Sequence, residues 1–282
     1  MKKQIKDKET KAVTTVERFD SVTAFWAGIK DKTAQPAFAG YEASQQISDF
    51  RDDFTGTHTF EEATGLLLEG DRENADKVLR AVMAIKRQVG KETKRQRVGT
   101  GVVGFAPNVP NFLAGVPRNM ITATPSKRKD KIINLVYDTT APCSVDKETL
   151  QAAVINAAGA IVALEAGGAR VNVYATFSVT SGRHKSGVFV KVKNASQPLD
   201  VLKMIYPLGH PSMMRRHFFR WLEVTAMPRG FRSGYGTCMS ASGVGQIAQK
   251  ADIKCDRVLN YEVASDNDYK ALAKMIDTGV IF

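Results

Sequence analysis

Apolar and polar positions are most clearly patterned in the second half of the chain. The run Ile132-Ile133-Asn134-Leu135-Val136-Tyr137, ending at Asp138, predicts a central strand. A turn through Pro142 leads to Asp146, placed to cap a helix. Its apolar members Leu150, Ala153, Val154, Ala157, Ile161 and Leu164 continue to Gly167-Gly168. A second strand from Arg170 to Phe177 follows, so the order strand, helix, strand predicts a parallel, right-handed βαβ crossover. The turn Ser181-Gly182-Arg183 and the run Gly187 to Val192 predict a hairpin return, giving a mixed sheet. Helical pieces flank Pro207 to Pro211, a glycine-rich loop runs from Pro228 to Gly245, a strand is expected near Val258 to Val263, and a helix from Asn267 to Ile276 closes the pattern.

The first half is less regular. Residues 1–57 read as an N-terminal arm with a short amphipathic piece around Val22, Phe25, Trp26 and Ile29. Thr59 and Glu62 have the spacing of a capping box, predicting a helix over 60–69 that stops at Gly70. A second helix from Arg72 to Val89 carries the stripe Val78, Val82, Ile85 and Val89. Seven Gly and Pro residues between Gly99 and Pro117 then exclude a long regular element. The apolar Val102, Val103, Phe105, Val109, Phe112 and Leu113 are too many for a free linker, so this loop is expected to lie against the core. The expected organisation is an arm (1–57), a helical region with a basic Pro/Gly-rich loop (58–130) and a Rossmann-like α/β domain (131–282).

The composition, 43% hydrophobic and 24% charged over 282 residues, is that of a globular protein. The polar start gives no signal-peptide core, and no run reaches about 18 uninterrupted apolar residues, so a cytoplasmic location without membrane contact is expected. Cys143, Cys238 and Cys255 are odd in number and widely spaced, which fits reduced thiols better than a disulfide framework or a zinc site. The formal charge of +11 favours a polyanionic partner, nucleic acid first. Its densest run is Lys86, Arg87, Lys91, Lys94, Arg95 and Arg97, and a second cluster is Lys127-Arg128-Lys129. A third cluster, Arg215 and Arg216, sits on a helix that Ser212 is placed to cap, where arginine forks suit phosphate oxygens.

Candidate chemistry is sparse. In open α/β sheets ligands bind at the carboxyl ends of the strands, which points to Asp138 and Thr140. His210 and His217 are further ligand-site candidates, but seven residues is too wide for an HExxH-type pair. The stretch Gly230 to Gly236 is neither a dinucleotide fingerprint nor a P-loop, and neither Cys143 nor Ser144 sits in a nucleophile elbow. No general base or nucleophile can be nominated with a mechanism, which weighs against an enzyme.

Asp138-Thr139-Thr140-Ala141-Pro142-Cys143-Ser144, between an apolar strand and a long helix, resembles the metal-binding turn of von Willebrand factor A domains. The resemblance implies a Rossmann-like core and a magnesium ion held by Asp138 and Thr140. Pro142 occupies the third ligand position and supplies no hydroxyl, so Asp138 reads equally as a turn or helix cap. Three further segments, Phe54 to Ala63, Gly104 to Pro110 and His210 to Glu223, resemble a group of uncharacterised proteins of tailed phages and prophages. That resemblance implies a viral setting and no activity.

The leading expectation is a phage-encoded, non-enzymatic α/β protein that binds nucleic acid or another polyanion with low sequence specificity. It would act in the host cytoplasm through Lys94, Arg95, Arg97, Lys127, Arg128, Lys129, Arg215 and Arg216. One alternative is a virion or assembly component that docks phage structural proteins. The other is a magnesium- or nucleotide-dependent enzyme at Asp138; beyond that magnesium no cofactor is expected.

Overall fold

The chain opens with two strands, where an arm was expected. The computed structural model describes residues 1–7, 11–33, 44–45, 52–93, 98–123, 131–225 and 234–278. Strand β1 (Lys2–Lys6) pairs antiparallel with β2 (Val13–Phe19), whose Thr14, Thr15, Val16 and Glu17 are buried. The polar make-up of that strand hides it from an apolar-run reading; Glu17 is satisfied inside by the Trp221 indole Nε1, which donates at 2.7 Å. Helix α1 (Val22–Ile29) follows, capped by Ser21 and burying Phe25 and Ile29. The short α2 (Asp52–Thr55) leads to α3 (Phe60–Glu69). Thr59 caps α3 as expected, accepting from the Glu62 amide at 3.1 Å, and Glu62 accepts in return from the His58 amide at 2.8 Å. Helix α4 (Arg72–Thr93) turns Val78, Val82 and Ile85 into the core.

The Pro/Gly-rich segment does not lie against the core. It folds on itself as a small sheet in the order β3 (Val98–Gly101), β5, β4 (Ala106–Pro107), with α5 (Val109–Leu113) before β5 (Met120–Ala123). None of these strands pairs with the central sheet. Gly104 is required by close approach, because a Cβ there would fall 2.2 Å from the Ile121 carbonyl oxygen, the acceptor of the Phe105 amide at 3.0 Å. Asn108 caps α5 through the Asn111 amide, and its own amide donates to the Asn119 carbonyl at 2.6 Å. The backbone groups that would otherwise have needed the core are thus satisfied within the segment.

The predicted βαβ unit is the centre of the fold. Strand β6 (Lys131–Asp138), helix α6 (Lys147–Ala166) and strand β7 (Ala169–Ser181) form it, with β6 and β7 parallel and Asp138 opposite Thr176. Asp146 caps α6, its carboxylate accepting from the Thr149 amide at 2.6 Å. Strand β8 (His184–Lys193) returns antiparallel through the Gly182 turn, and β2 adds parallel to β8, with Val16 opposite Gly187. Helix α7 (Val201–Gly209) is followed by a π-helical segment, Met213–Phe218, that continues as α8 (Phe219–Val224).

The expected glycine-rich loop contains β9 (Thr237–Cys238) and the start of α9 (Ala241–Lys250), which Ser240 caps; its residues 228–233 lie outside the described residues. The last strand, β10 (Arg257–Asn260), is shorter than expected because Asn260 caps α10 (Tyr261–Asp266), accepting from the Val263 amide at 3.0 Å. Helix α11 (Tyr269–Thr278) closes the chain.

The result is a mixed α/β sheet in the order β1-β2-β8-β7-β6-β10, with β9 added on β7 and helices on both faces. Period-two alternation sorts the faces. Leu135, Tyr137, Val173 and Ala175 point to the large core, where Phe25 and Phe177 each make ring contact with Phe218; Val136, Tyr174 and Phe189 meet Val244 and Ile247 of α9 on the other face. Each such large side chain contributes about 1.5–3 kcal/mol by leaving water. Helix α6 is long and apolar enough by composition alone to cross a membrane, but Ala153, Ala157 and Ile161 are fully buried in this core.

Candidate functional site

Asp138 ends β6 where ligands are expected, and the site is closed. Its carboxylate accepts from the Thr140 amide at 3.2 Å and from the Thr140 hydroxyl at 2.7 Å, forming a local Asx-type turn. Both residues are buried, and the Met214 thioether covers the turn by accepting from the Ala141 amide at 3.4 Å. Burial pushes the Asp138 carboxyl up to about 7, against the lowering effect of the two Thr140 hydrogen bonds. Burial, with Asp138 nearby, also raises the Cys238 thiol, which makes it a weak nucleophile.

These residues do not fit a magnesium ion. Asp138 and Thr140 are engaged with each other, Pro142 offers only a carbonyl, and that carbonyl accepts from the Arg215 guanidinium at 3.2 Å. Two mutually bonded ligands fall well short of the roughly six oxygens that Mg2+ requires, and a guanidinium beside them opposes a cation. Among the described residues no group of three or more His, Cys, Asp and Glu side chains converges on a metal position.

The arginine helix is turned inward, so the expected phosphate-binding face is corrected. Arg215 and Arg216 are 1% and 0% exposed. Ser212 has helical backbone angles and does not cap; its hydroxyl instead donates to the Thr55 carbonyl at 2.5 Å and shares a hydrogen bond with the Thr57 hydroxyl at 2.9 Å. Arg216 donates from Nε to the Thr57 hydroxyl at 2.8 Å and from Nη2 to the carbonyls of Thr57 at 2.7 Å and His58 at 3.0 Å. Arg215 donates to the Phe54 carbonyl, with its guanidinium carbon 4.4 Å from the Phe54 ring centroid. Two of the three segments that carry the phage resemblance, Phe54 to Ala63 and His210 to Glu223, are therefore one interlocked unit. The forks satisfy the carbonyls of a tight turn, a structural use of the same bidentate geometry.

His210 and His217 belong to this interior too. Both rings contact Tyr206: His210 stacks on it at 4.9 Å, and His217 Nδ1 shares a hydrogen bond with its hydroxyl at 2.8 Å. Burial lowers His210 to about 4; burial, then the charges of His210 and Arg216, lowers His217 to about 3. Neutral, enclosed imidazoles of this kind are packing elements.

Lys94, Arg95, Arg97, Lys127, Arg128 and Lys129 lie outside the described residues. Their sequence context is defined all the same. Residues 72–131 contain fourteen Lys and Arg against four Asp and Glu, a net +10 of the chain's +11, so the excess charge belongs to one segment. Arg72, Lys77, Arg80, Lys86, Arg87 and Arg118 in it are exposed. Within the same segment Val102, Val103, Phe105, Val109, Phe112, Leu113 and Val116 are exposed, seven of the thirteen exposed large apolar side chains among the described residues. The basic runs of this segment are legible in the sequence; the outward direction of its apolar side chains had no sequence signal.

Residues 4–276 match the family model described as Domain of unknown function (DUF7192). No curated protein and no solved structure matches the chain.

Proposed function

The chain belongs to the family Domain of unknown function (DUF7192), which names no activity, and we propose from the surface chemistry that this protein is a non-enzymatic binder of a polyanion, nucleic acid first, with low sequence specificity. One observation carries the reading: a net +10 of the chain's +11 is confined to residues 72–131, around the small separate sheet and α5, a finger of exposed side chains. Charge so concentrated gives affinity through release of counterions from phosphates, without reading bases. The contact set is Lys94, Arg95, Arg97, Lys127, Arg128 and Lys129, joined by exposed Lys86, Arg87 and Arg118. Arg215 and Arg216 leave it because they are buried. The Phe54, Gly104 and His210 segments support a phage or prophage setting in the host cytoplasm, and the strand-turn-helix at Asp138 supports a von Willebrand factor A-like core.

The test is fluorescence anisotropy of the full chain with DNA and RNA oligonucleotides at two salt concentrations. Binding should weaken steeply with salt, and Lys94→Glu/Arg95→Glu/Arg97→Glu should reduce both affinity and salt slope. An unchanged slope in that variant would remove the proposed surface.

The exposed apolar side chains of the finger favour a second reading, in which it docks a protein partner during virion assembly. Mass spectrometry of purified particles separates a virion component from a protein that stays in the host cytoplasm.

A further inference from the structure

The two faces of the central sheet are covered unequally. One carries the large core; on the other, the apolar cluster draws its non-sheet members from α9 and the residues flanking it. Alternation from Val16, Val136, Tyr174 and Phe189 of that cluster places Arg18 of β2, Ile132 and Asn134 of β6, Arg170 and Asn172 of β7 and Lys191 of β8 on this same face. Ile132 stands opposite Arg170 and Asn134 opposite Asn172, while the Lys191 Nζ and the Arg18 guanidinium carbon lie 5.3 Å and 6.0 Å from the Tyr174 ring centroid. Ile132 is 56% exposed and Arg170 is exposed, so α9 leaves this part of the sheet open to water. The bordering carboxylates are each engaged: Asp20 by Arg18 at 2.9 Å, Asp252 by Lys3 at 2.5 Å and Asp256 by the Asn134 Nδ2 at 2.8 Å. Arg170 and Lys191 have no acidic partner among the described residues.

We propose that this open part of the sheet face is a contact surface for the phosphate backbone of nucleic acid, with Arg170 and Lys191 as its phosphate-binding cations. The proposal rests on the nucleic-acid reading above and adds a second contact surface, on the central sheet and outside residues 72–131. Arg170 and Tyr174 are four residues apart on β7, about 13 Å along the strand, and Lys191 is held at the Tyr174 ring. The two cations therefore meet different phosphates of an extended polyanion. Tyr174 is 4% exposed and offers no ring face for stacking. Asn134 and Asn172 are engaged with each other at 2.9 Å, and Asn172 also accepts from the Ala195 amide at 2.8 Å, so they are not free to read base edges. Contact with the backbone alone carries no sequence information, in line with low specificity. A protein partner would need an apolar interface core, whereas Ile132 is the one large apolar side chain among these six; a polar, cationic surface suits nucleic acid.

The experiment measures the anisotropy of a fluorescent oligonucleotide bound by the full chain over a series of salt concentrations. Arg170→Ala/Lys191→Ala should make the salt slope shallower by about two and weaken binding at about 0.1 M salt by roughly tenfold or more. Arg170→Lys/Lys191→Arg, which keeps both charges, should retain the wild-type slope. Lys203→Ala, which removes an exposed lysine from α7 over the opposite face, should leave slope and affinity unchanged. Circular dichroism checks that each variant keeps the fold. A wild-type slope in Arg170→Ala/Lys191→Ala overturns the sheet surface while the reading based on residues 72–131 stands. An equal loss in Lys203→Ala shows diffuse attraction by net charge and also overturns it. Absence of binding by the wild-type chain overturns both. Loss of polyglutamate binding in Arg170→Ala/Lys191→Ala, with oligonucleotide binding unaffected, assigns the face to an acidic protein and overturns the proposal.

Discussion

Arg216 holds Thr57 twice, donating from Nε to its hydroxyl at 2.8 Å and from Nη2 to its carbonyl at 2.7 Å across 159 residues of chain. The turn at Thr55-Gly56-Thr57 presents carbonyls inward: the Ser212 hydroxyl satisfies that of Thr55, and the fork those of Thr57 and His58. Gly56 is needed there: its φ is +76°, and a Cβ would meet His210 Cε1 at 3.1 Å.

Loss of this clamp should destabilise the protein. Arg216→Ala removes these donors from the Thr57 and His58 carbonyls, of which Thr57 keeps the Thr55 hydroxyl at 2.7 Å; at about 1–3 kcal/mol for a buried group left unsatisfied, unfolding free energy should fall by at least about 1 kcal/mol in urea titration. Arg216→Lys should not restore it, because one ammonium cannot reproduce a fork that reaches several acceptors. A loss below about 0.5 kcal/mol in Arg216→Ala would show that the clamp is dispensable.

Stability should depend on pH through buried groups of opposite sign. His210 and His217 fall from 6.5 to about 4 and about 3 on folding, so the unfolded chain takes up protons first. Their contribution is full above about 6.5 and is lost as pH falls towards 4 and 3. Asp138 rises from 3.8 to about 7, so its contribution is full below about 4 and is lost as pH rises to 7. Between about 4 and 6.5 the two histidines outweigh the one carboxyl by one proton. Stability should then rise by about 1.4 kcal/mol per pH unit. Asp138→Asn should roughly double that slope in urea unfolding at pH 5 and 6. The same slope in wild type and variant would mean that Asp138 does not take up a proton on folding.

The finger should be energetically separate from the core. Val103→Ser, Phe112→Ser and Leu113→Ser should each change unfolding free energy by less than about 0.5 kcal/mol, because these side chains are already in water. Phe218→Ala, at 0% exposure, should cost about 3–5 kcal/mol. Comparable losses at Phe112 and Phe218 in thermal or urea unfolding would place the finger against the core after all.

By itself the sequence determined what depends on neighbours a few residues away. The caps at Thr59 and Asp146, the β6-α6-β7 unit, the Gly182 hairpin and the position of Asp138 at a strand end all follow from periodicity and local hydrogen bonding. Confinement of the net charge to residues 72–131 is likewise a sequence property. Only the tertiary structure decided the remainder, because each case turns on a partner remote in the chain. Polar β2 is a strand because β8 pairs with it and Trp221 satisfies Glu17. The Arg215 and Arg216 forks point inward because the carbonyls of residues 54–58 need donors. The apolar side chains of 102–116 point outward because that segment satisfies its own backbone, leaving the core closed without them. Periodicity reports which residues share a face; which face meets water is settled by what the rest of the chain brings to it.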